Sequence, residues 1–158
     1  MASPKQLPSW RRLDNQMASE KVTAEWLHDQ VFMLRDHQGF PIVMAQPDGV
    51  LGADLLPLSL IGCAIWDVTS ILHKQKQVIS RMEVEAYSER DDDPPWRFRK
   101  IRVLYRIWGT QVKSAAVERA IRLTEEKYCS IYVTLKPAIE IVSEFEILTD
   151  DKITLGTA

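Results

Sequence analysis

The chain has 158 residues, of which 46% are hydrophobic and 27% are charged, and its formal net charge at pH 7 is -2. These values are ordinary for one soluble globular domain with a real core, and they argue against a general nucleic-acid binder. The N-terminal stretch has two arginines but no continuous apolar run, which excludes a signal peptide or an anchor of that kind. We therefore expect a cytoplasmic protein that binds neither nucleic acid nor membrane.

The organisation that we predict is an N-terminal arm over residues 1–20, a single domain over 21–149 and a tail over 150–158. After the arm, apolar and polar residues alternate, which predicts three short antiparallel strands with a turn at Gln38 and Gly39. The alternating apolar positions are Val22, Ala24, Trp26, Phe32, Leu34, Ile42 and Met44.

A long apolar stretch, Asp54 to Gln77, follows and carries Cys63 near its middle. Asp54 suits the N-cap position, and the basic residues near Gln77 suit a helix C-terminus. A helix that is apolar on all sides must be covered on most of them. Asp54 and Asp67 bracket only about a dozen apolar residues, which is short of a membrane span. The pattern predicts a buried central helix.

Two long alternating stretches after this helix predict a β-hairpin, Val78 to Tyr87 and Arg97 to Trp108, joined by an acidic loop. The basic residues of the second strand face the glutamates of the first, which favours a solvated, charge-paired face over a nucleic-acid groove. The inward positions of the second strand are Ile101, Val103, Tyr105 and Ile107.

A second helix is predicted from Ala115 to about Cys129, capped by Ser114, and a last strand with an acidic outer face covers residues 139–147. On a helical wheel Cys129 falls at the edge of the buried stripe, where a thiol would be reachable. The order of elements predicts an α+β fold with about six antiparallel strands wrapped around the central helix. Because one sheet cannot cover this helix, we expect an intertwined homodimer. The residues of the buried stripe are Val117, Ile121, Thr124 and Tyr128.

Cys63 and Cys129 are the only cysteines, and they lie 66 positions apart with no CxxC or Cys/His spacing. We therefore expect no metal and no cofactor. The three histidines fit surface or capping positions better than a metal site. Two unrelated buried thiols are one interpretation of the pair, and a redox couple is the other.

The cysteine contexts favour the couple. The segments GADLLPLSLIGCAIWDVTSIL and AVERAIRLTEEKYCSIYVTLKPAIEI resemble the OsmC/Ohr family of small redox proteins. The resemblance implies a peroxidase that reduces organic hydroperoxides, with Cys63 as the peroxidatic thiol and Cys129 as the resolving thiol. It also implies a site at a dimer interface and resetting by an external dithiol, such as a lipoyl group.

Two departures from the family pattern concern the group that would activate Cys63. Family peroxidases place an arginine before the central helix and a glutamate at its start. Here Asp54 stands nearest to the glutamate position, and no arginine precedes the helix in FPIVMAQPDG. Arg35 or Arg81 could substitute for it, and Asp67 could orient a cation or lie at an interface rim. In mid-helix, burial would raise the pKa of Cys63.

Three functions stay open at this point. One is the cysteine-based peroxidase, with Cys63, Cys129 and Asp54 as site residues. Another is a dimeric protein of the same fold without peroxidase activity, which binds a hydrophobic molecule around Cys63, Ile65 and Trp66 or acts as a general redox protein. The third is a structural pair of buried thiols.

Overall fold

A computed structural model of the chain describes residues 20–149 and shows six strands and three α-helices. The predicted α+β class is confirmed. The residues form two compact units divided between Leu51 and Gly52. The predicted arm, except for its last residue, and the predicted tail lie outside the described residues.

The first unit is a three-stranded antiparallel sheet. Its strands are β1 (Thr23–His28), β2 (Val31–Arg35) and β3 (Pro41–Ala45), in the order β1-β2-β3. The turn between β2 and β3 is the predicted one. Gly39 adopts φ +93°, which suits glycine, and the Asp36 carboxylate accepts the backbone N–H groups of Gln38 and Phe40 at 2.9 and 2.8 Å.

The second unit packs helices on one face of another three-stranded sheet. Strand β4 (Val78–Arg90) and β5 (Phe98–Thr110) form the predicted hairpin, and β6 (Glu140–Leu148) pairs with β5. The helices are α1 (Leu55–Lys74), α2 (Ser114–Leu123) and α3 (Ser130–Leu135). The inward residues of β5 are buried as predicted, and they form one core cluster with α1 and α2.

The strand count is as predicted, but the predicted single antiparallel sheet is wrong in two respects. The strands form two separate sheets of three, and β6 runs parallel to β5. Alternation of side chains specifies only which face a residue occupies, so it does not distinguish a parallel from an antiparallel neighbour.

The central helix buries one stripe in the second unit. Its fully buried positions recur every fourth residue, and these are Leu60, Ala64, Val68 and Leu72. Trp66 is 76% exposed and Leu58 is 48% exposed, so the single chain leaves much of the apolar surface uncovered. By length and composition alone the segment 52–74 could cross a membrane, although its buried stripe is that of a core helix.

The charged face of the hairpin is as predicted. Arg106 contacts Glu85 at 2.5 Å and Glu146 at 3.3 Å, and Lys100 contacts Glu140 at 3.1 Å. These ladders pair the basic residues of β5 with glutamates on both neighbouring strands. The basic run of β5 is thus charge-paired across this face.

Candidate active site

Cys63 lies in the third turn of α1, one residue before the buried Ala64, and it is half-buried. It packs against the core cluster from the edge of the buried stripe. Its thiol donates to the Asp67 carboxylate, with 3.8 Å between Sγ and Oδ2. Asp67 is one helical turn further along, so the two side chains share a face of α1.

The second helix does not run on to Cys129 as predicted. It ends at Leu123 and passes into a π-helical turn, Thr124–Tyr128, before the chain becomes extended at Cys129 and starts α3. Tyr128, predicted in the buried stripe, is 59% exposed, whereas Cys129 is 1% exposed. The prediction of a reachable Cys129 at the edge of the packed face is therefore wrong. π-turns are rare, and residue periodicity does not reveal them.

The break brings the two cysteines together. The Sγ atoms of Cys63 and Cys129 and a carboxylate oxygen of Asp67 all lie within 4.8 Å of one another. The backbone N–H of Tyr132 donates to Cys129 Sγ at 3.3 Å, so Cys129 also caps α3. Both cysteines are free thiols in this structure, and a disulfide would bring their sulfurs from within 4.8 Å of each other to about 2.05 Å.

The surroundings of Cys63 favour the neutral thiol. Burial, together with the neighbouring Cys129 and the negative charge of Asp67, raises the pKa of Cys63 to about 12 from an ordinary value of 9.0. A hydrogen bond from the backbone of Ile131 acts in the opposite direction and lowers it. No lysine or arginine of residues 52–149 is among the groups that set this pKa. The Asp67 carboxylate thus lies beside the Cys63 thiol, where the family resemblance led us to look for an arginine.

The remaining predicted site residues lie elsewhere. Asp54 occupies the N-cap position of α1, but its side chain makes no capping hydrogen bond and lies 3.8 Å from Arg90. Nine residues separate it from Cys63, about 13 Å of helix. Arg81 pairs with Glu83 and stacks on the Trp108 ring. The structure therefore joins Cys63 to Cys129 but not to Asp54 or Arg81.

A half-buried polar cluster links the π-helical turn to α3 and to β6. Ser143 on β6 donates to the Glu125 carboxylate at 2.6 Å, and the Tyr132 hydroxyl also bonds to Glu125. Burial raises the pKa of Glu125 and also that of Tyr105 beside it. Sequence reasoning missed this cluster because Glu125 reads as part of an ordinary charged helix face. The contacts hold the segment that presents Cys129.

A cavity of about 330 Å³ opens beside the site. Asp67 lines it together with Lys74, Arg119 and Tyr128. Asp67 links this cavity to the Cys63 thiol, which does not itself line it. Cys63, Asp67 and Cys129 also form the one group of the described residues with three side chains placed to hold a metal ion.

The relatives of the chain share this architecture. It is 32% identical to protein YhfA of Escherichia coli K12 over 131 residues, which are 81% of this chain and 98% of YhfA. A hypothetical protein of Aquifex aeolicus VF5 has a crystal structure with a TM-score of 0.77 and 26% identity, covering 85% of this chain and 99% of that one.

More distant solved structures share the fold alone. One is the organic hydroperoxide resistance protein OsmC of Legionella pneumophila, at 9% identity and a TM-score of 0.63, covering 84% of this chain and 99% of that one. The family model described as "OsmC-like protein" matches residues 46–144, which include both cysteines and all of α1. This match and the identity to YhfA show that the chain belongs to the OsmC-like protein family.

Proposed function

We propose that the chain is a thiol-dependent peroxidase that reduces organic hydroperoxides through a sulfenate–disulfide cycle of Cys63 and Cys129. The observation that carries the proposal is a distance of at most 4.8 Å between the Sγ atom of Cys63 on α1 and that of Cys129, which lies at the break between α2 and α3. If the two thiols were unrelated residues of the core, we would not expect their sulfurs to lie so close together. Family membership adds support, since the Legionella relative is an organic hydroperoxide resistance protein.

The half-buried Cys63 is the thiol that meets the hydroperoxide. Its thiolate attacks the distal peroxide oxygen, the O–O bond breaks, and the leaving alkoxide takes a proton to become an alcohol. Cys63 is then a sulfenic acid. Cys129 is 1% exposed, and this burial protects it from direct oxidation by the hydroperoxide.

Resolution uses the second thiol. Cys129 attacks the sulfenyl sulfur of Cys63, the S–O bond breaks, and water leaves as the disulfide forms. An external dithiol, such as a lipoyl group, then supplies two electrons and two protons and restores both thiols. The backbone N–H of Ile131 lowers the pKa of Cys63 and so favours the thiolate that the first step requires.

The proposal includes a homodimer. Trp66 and Leu58 on α1 are exposed in the single chain, and apolar side chains of this size on one helix suit contact with a second copy. A second copy could also bring an arginine or lysine to Cys63.

Thiol titration under hydroperoxide tests the cycle. Reduced protein given one equivalent of cumene hydroperoxide should lose two thiols and release one equivalent of alcohol. Cys63→Ser should leave the hydroperoxide intact. Cys129→Ser should stop at a sulfenic acid, which a dimedone trap and a mass gain of one oxygen atom would reveal. Thiols that persist under excess hydroperoxide would refute the proposal.

A second candidate rests on a different observation, the pKa of Cys63, which burial, Cys129 and Asp67 all raise. A thiol that stays protonated is a weak nucleophile, so a dimer of this fold that binds a hydrophobic molecule beside Trp66 would need no reactive cysteine. This candidate predicts that a fluorescent apolar probe binds equally well to the wild-type protein and to Cys63→Ser.

A further inference from the structure

Three metal-ligating side chains converge at one point of the second unit. Cys63 and Asp67 stand one turn apart on α1, and Cys129 reaches them from the start of α3. Their ligand atoms lie within 4.8 Å of one another, and Cys63 Sγ is 3.8 Å from Asp67 Oδ2. The arrangement comes from the packing of two elements that are distant in sequence, and these three residues do not form a metal-binding sequence motif.

The spacing suits a tetrahedral cation. With Zn–S bonds of about 2.3 Å and a Zn–O bond of about 2.0–2.2 Å, tetrahedral ligand atoms are about 3.5–3.8 Å apart. The measured separation of Cys63 Sγ and Asp67 Oδ2 is 3.8 Å. The other separations are at most 4.8 Å and need a contraction of up to about 1.3 Å, which we assign to side-chain rotation.

The donor set selects the kind of metal. Two thiolates with one carboxylate suit Zn²⁺, whereas Mg²⁺ and Ca²⁺ require oxygen ligands. The backbone N–H groups of Ile131 and Tyr132 each point to one of the two sulfurs. Outer-shell donors of this kind orient the ligands and share the negative charge of a thiolate centre.

We propose that Cys63, Asp67 and Cys129 of the reduced chain bind one Zn²⁺, with a water molecule as the fourth ligand. Binding releases the two thiol protons to solvent. A two-electron oxidant such as diamide joins the two sulfurs as a Cys63–Cys129 disulfide and takes up two protons from solvent as it is reduced, which removes both sulfur ligands and releases the metal. The bound metal in turn holds both sulfurs and withholds them from the peroxidase cycle.

The site does not depend on the proposed peroxidase activity. Zinc can bind to a chain that never reacts with hydroperoxides, and a peroxidase can operate without zinc. Metal binding and hydroperoxide consumption are therefore measured separately, so that the failure of one proposal leaves the other standing.

Cobalt substitution and zinc titration test the site in the full-length protein. Reduced, metal-free wild-type protein should take up one Co²⁺ per chain, with the thiolate charge-transfer and tetrahedral d–d absorption bands of two sulfur ligands. Zn²⁺ added afterwards should bleach these bands, and isothermal titration should give one zinc per chain. Oxidation with diamide should abolish uptake.

Three variants locate the ligands. Cys63→Ser and Asp67→Asn should each weaken zinc binding by at least ~100-fold, the upper end of the loss caused by an outer-shell substitution. Cys129→Ser should do the same, with its folding checked by circular dichroism because Cys129 is buried. Glu118→Gln removes an exposed carboxylate on α2 and should leave the affinity unchanged.

Two results would overturn the proposal. One is a cobalt form of the reduced wild-type protein that shows no thiolate charge-transfer bands, or a stoichiometry below one zinc or cobalt ion per chain. The other is zinc affinity that Asp67→Asn and Cys63→Ser leave within ~3-fold of the wild type, far below the loss expected of a ligand. Both variants replace half-buried side chains with close isosteres, so a folding defect would not hide the answer.

Discussion

Asp67 should restrain the thiol that it touches, and replacing it with asparagine should make Cys63 more reactive. The substitution keeps the shape of the side chain and removes its negative charge. With 3.8 Å between the sulfur and the carboxylate oxygen, the repulsion between a Cys63 thiolate and Asp67 is about 1.1 kcal/mol even at the dielectric constant of water. That energy corresponds to about a six-fold larger thiolate population at neutral pH. A thiolate of lower pKa is also less nucleophilic, which cancels about half of this six-fold gain. The net reaction should be about three-fold faster.

Alkylation by iodoacetamide measures this effect. Reduced wild-type protein, Asp67→Asn and the control Glu118→Gln react at neutral pH with a chelator present, and peptide mapping follows Cys63. The Asp67→Asn protein should react about three-fold faster than the wild type, and the control should match the wild type. The wild-type rate should also keep rising above pH 9, because the pKa of Cys63 is about 12 and not 9.0.

A slower reaction in Asp67→Asn would refute the reasoning. It would mean that Asp67 takes the proton from Cys63 as a general base and promotes the thiolate instead of opposing it. A wild-type rate that levels off near neutral pH would refute the pKa argument as well, and would indicate a cation beside Cys63 in the assembled protein.

Other predictions concern stability and assembly. Leu60→Ala removes a side chain that is 1% exposed and should destabilise the fold by about 2–5 kcal/mol in urea unfolding, whereas His73→Ala at an exposed position on the same helix should cost far less. Burial raises the pKa of Glu125 above its value in the unfolded chain, so the free energy of unfolding should fall as the pH rises through the folded-state pKa. Glu125→Gln should therefore raise the melting temperature at neutral pH and flatten its pH dependence. An unchanged profile of melting temperature against pH would contradict this. Trp66→Glu places a charge on the exposed apolar face of α1 and should convert a wild-type dimer to a monomer in sedimentation velocity; a monomeric wild-type protein would contradict the dimer.

Local patterns predicted most of the elements. Period-two alternation in β4, β5 and β6 depends only on neighbouring residues, and it gave both the hairpin and the inward face of β5. The run around Cys63 likewise predicts a helix, since its length and apolarity leave few other choices. Cys63 and Cys129 were identified from their sequence contexts. Asp67 was weighed only as a residue that could orient a cation or lie at an interface rim.

The chemistry of the site required the tertiary structure. A π-turn replaces the end of the predicted second helix, and it turns Cys129 from the edge of a helix face into the core beside Cys63. This break depends on how Thr124–Tyr128 packs against the sheet, which no local propensity encodes. The backbone donors of Ile131 and Tyr132 likewise appear only once α3 starts at Cys129.

The sequence by itself thus determined the fold class, the central helix and the identity of the two thiols, because residue types and their spacing are enough to predict each of them. Only the tertiary structure decided what surrounds those thiols, because distances between segments 66 residues apart follow from packing and not from pattern. It placed a carboxylate beside Cys63 where the sequence led us to look for an arginine. Burial, Cys129 and this carboxylate together raise the pKa of Cys63, and the same three side chains carry the proposal of a metal site.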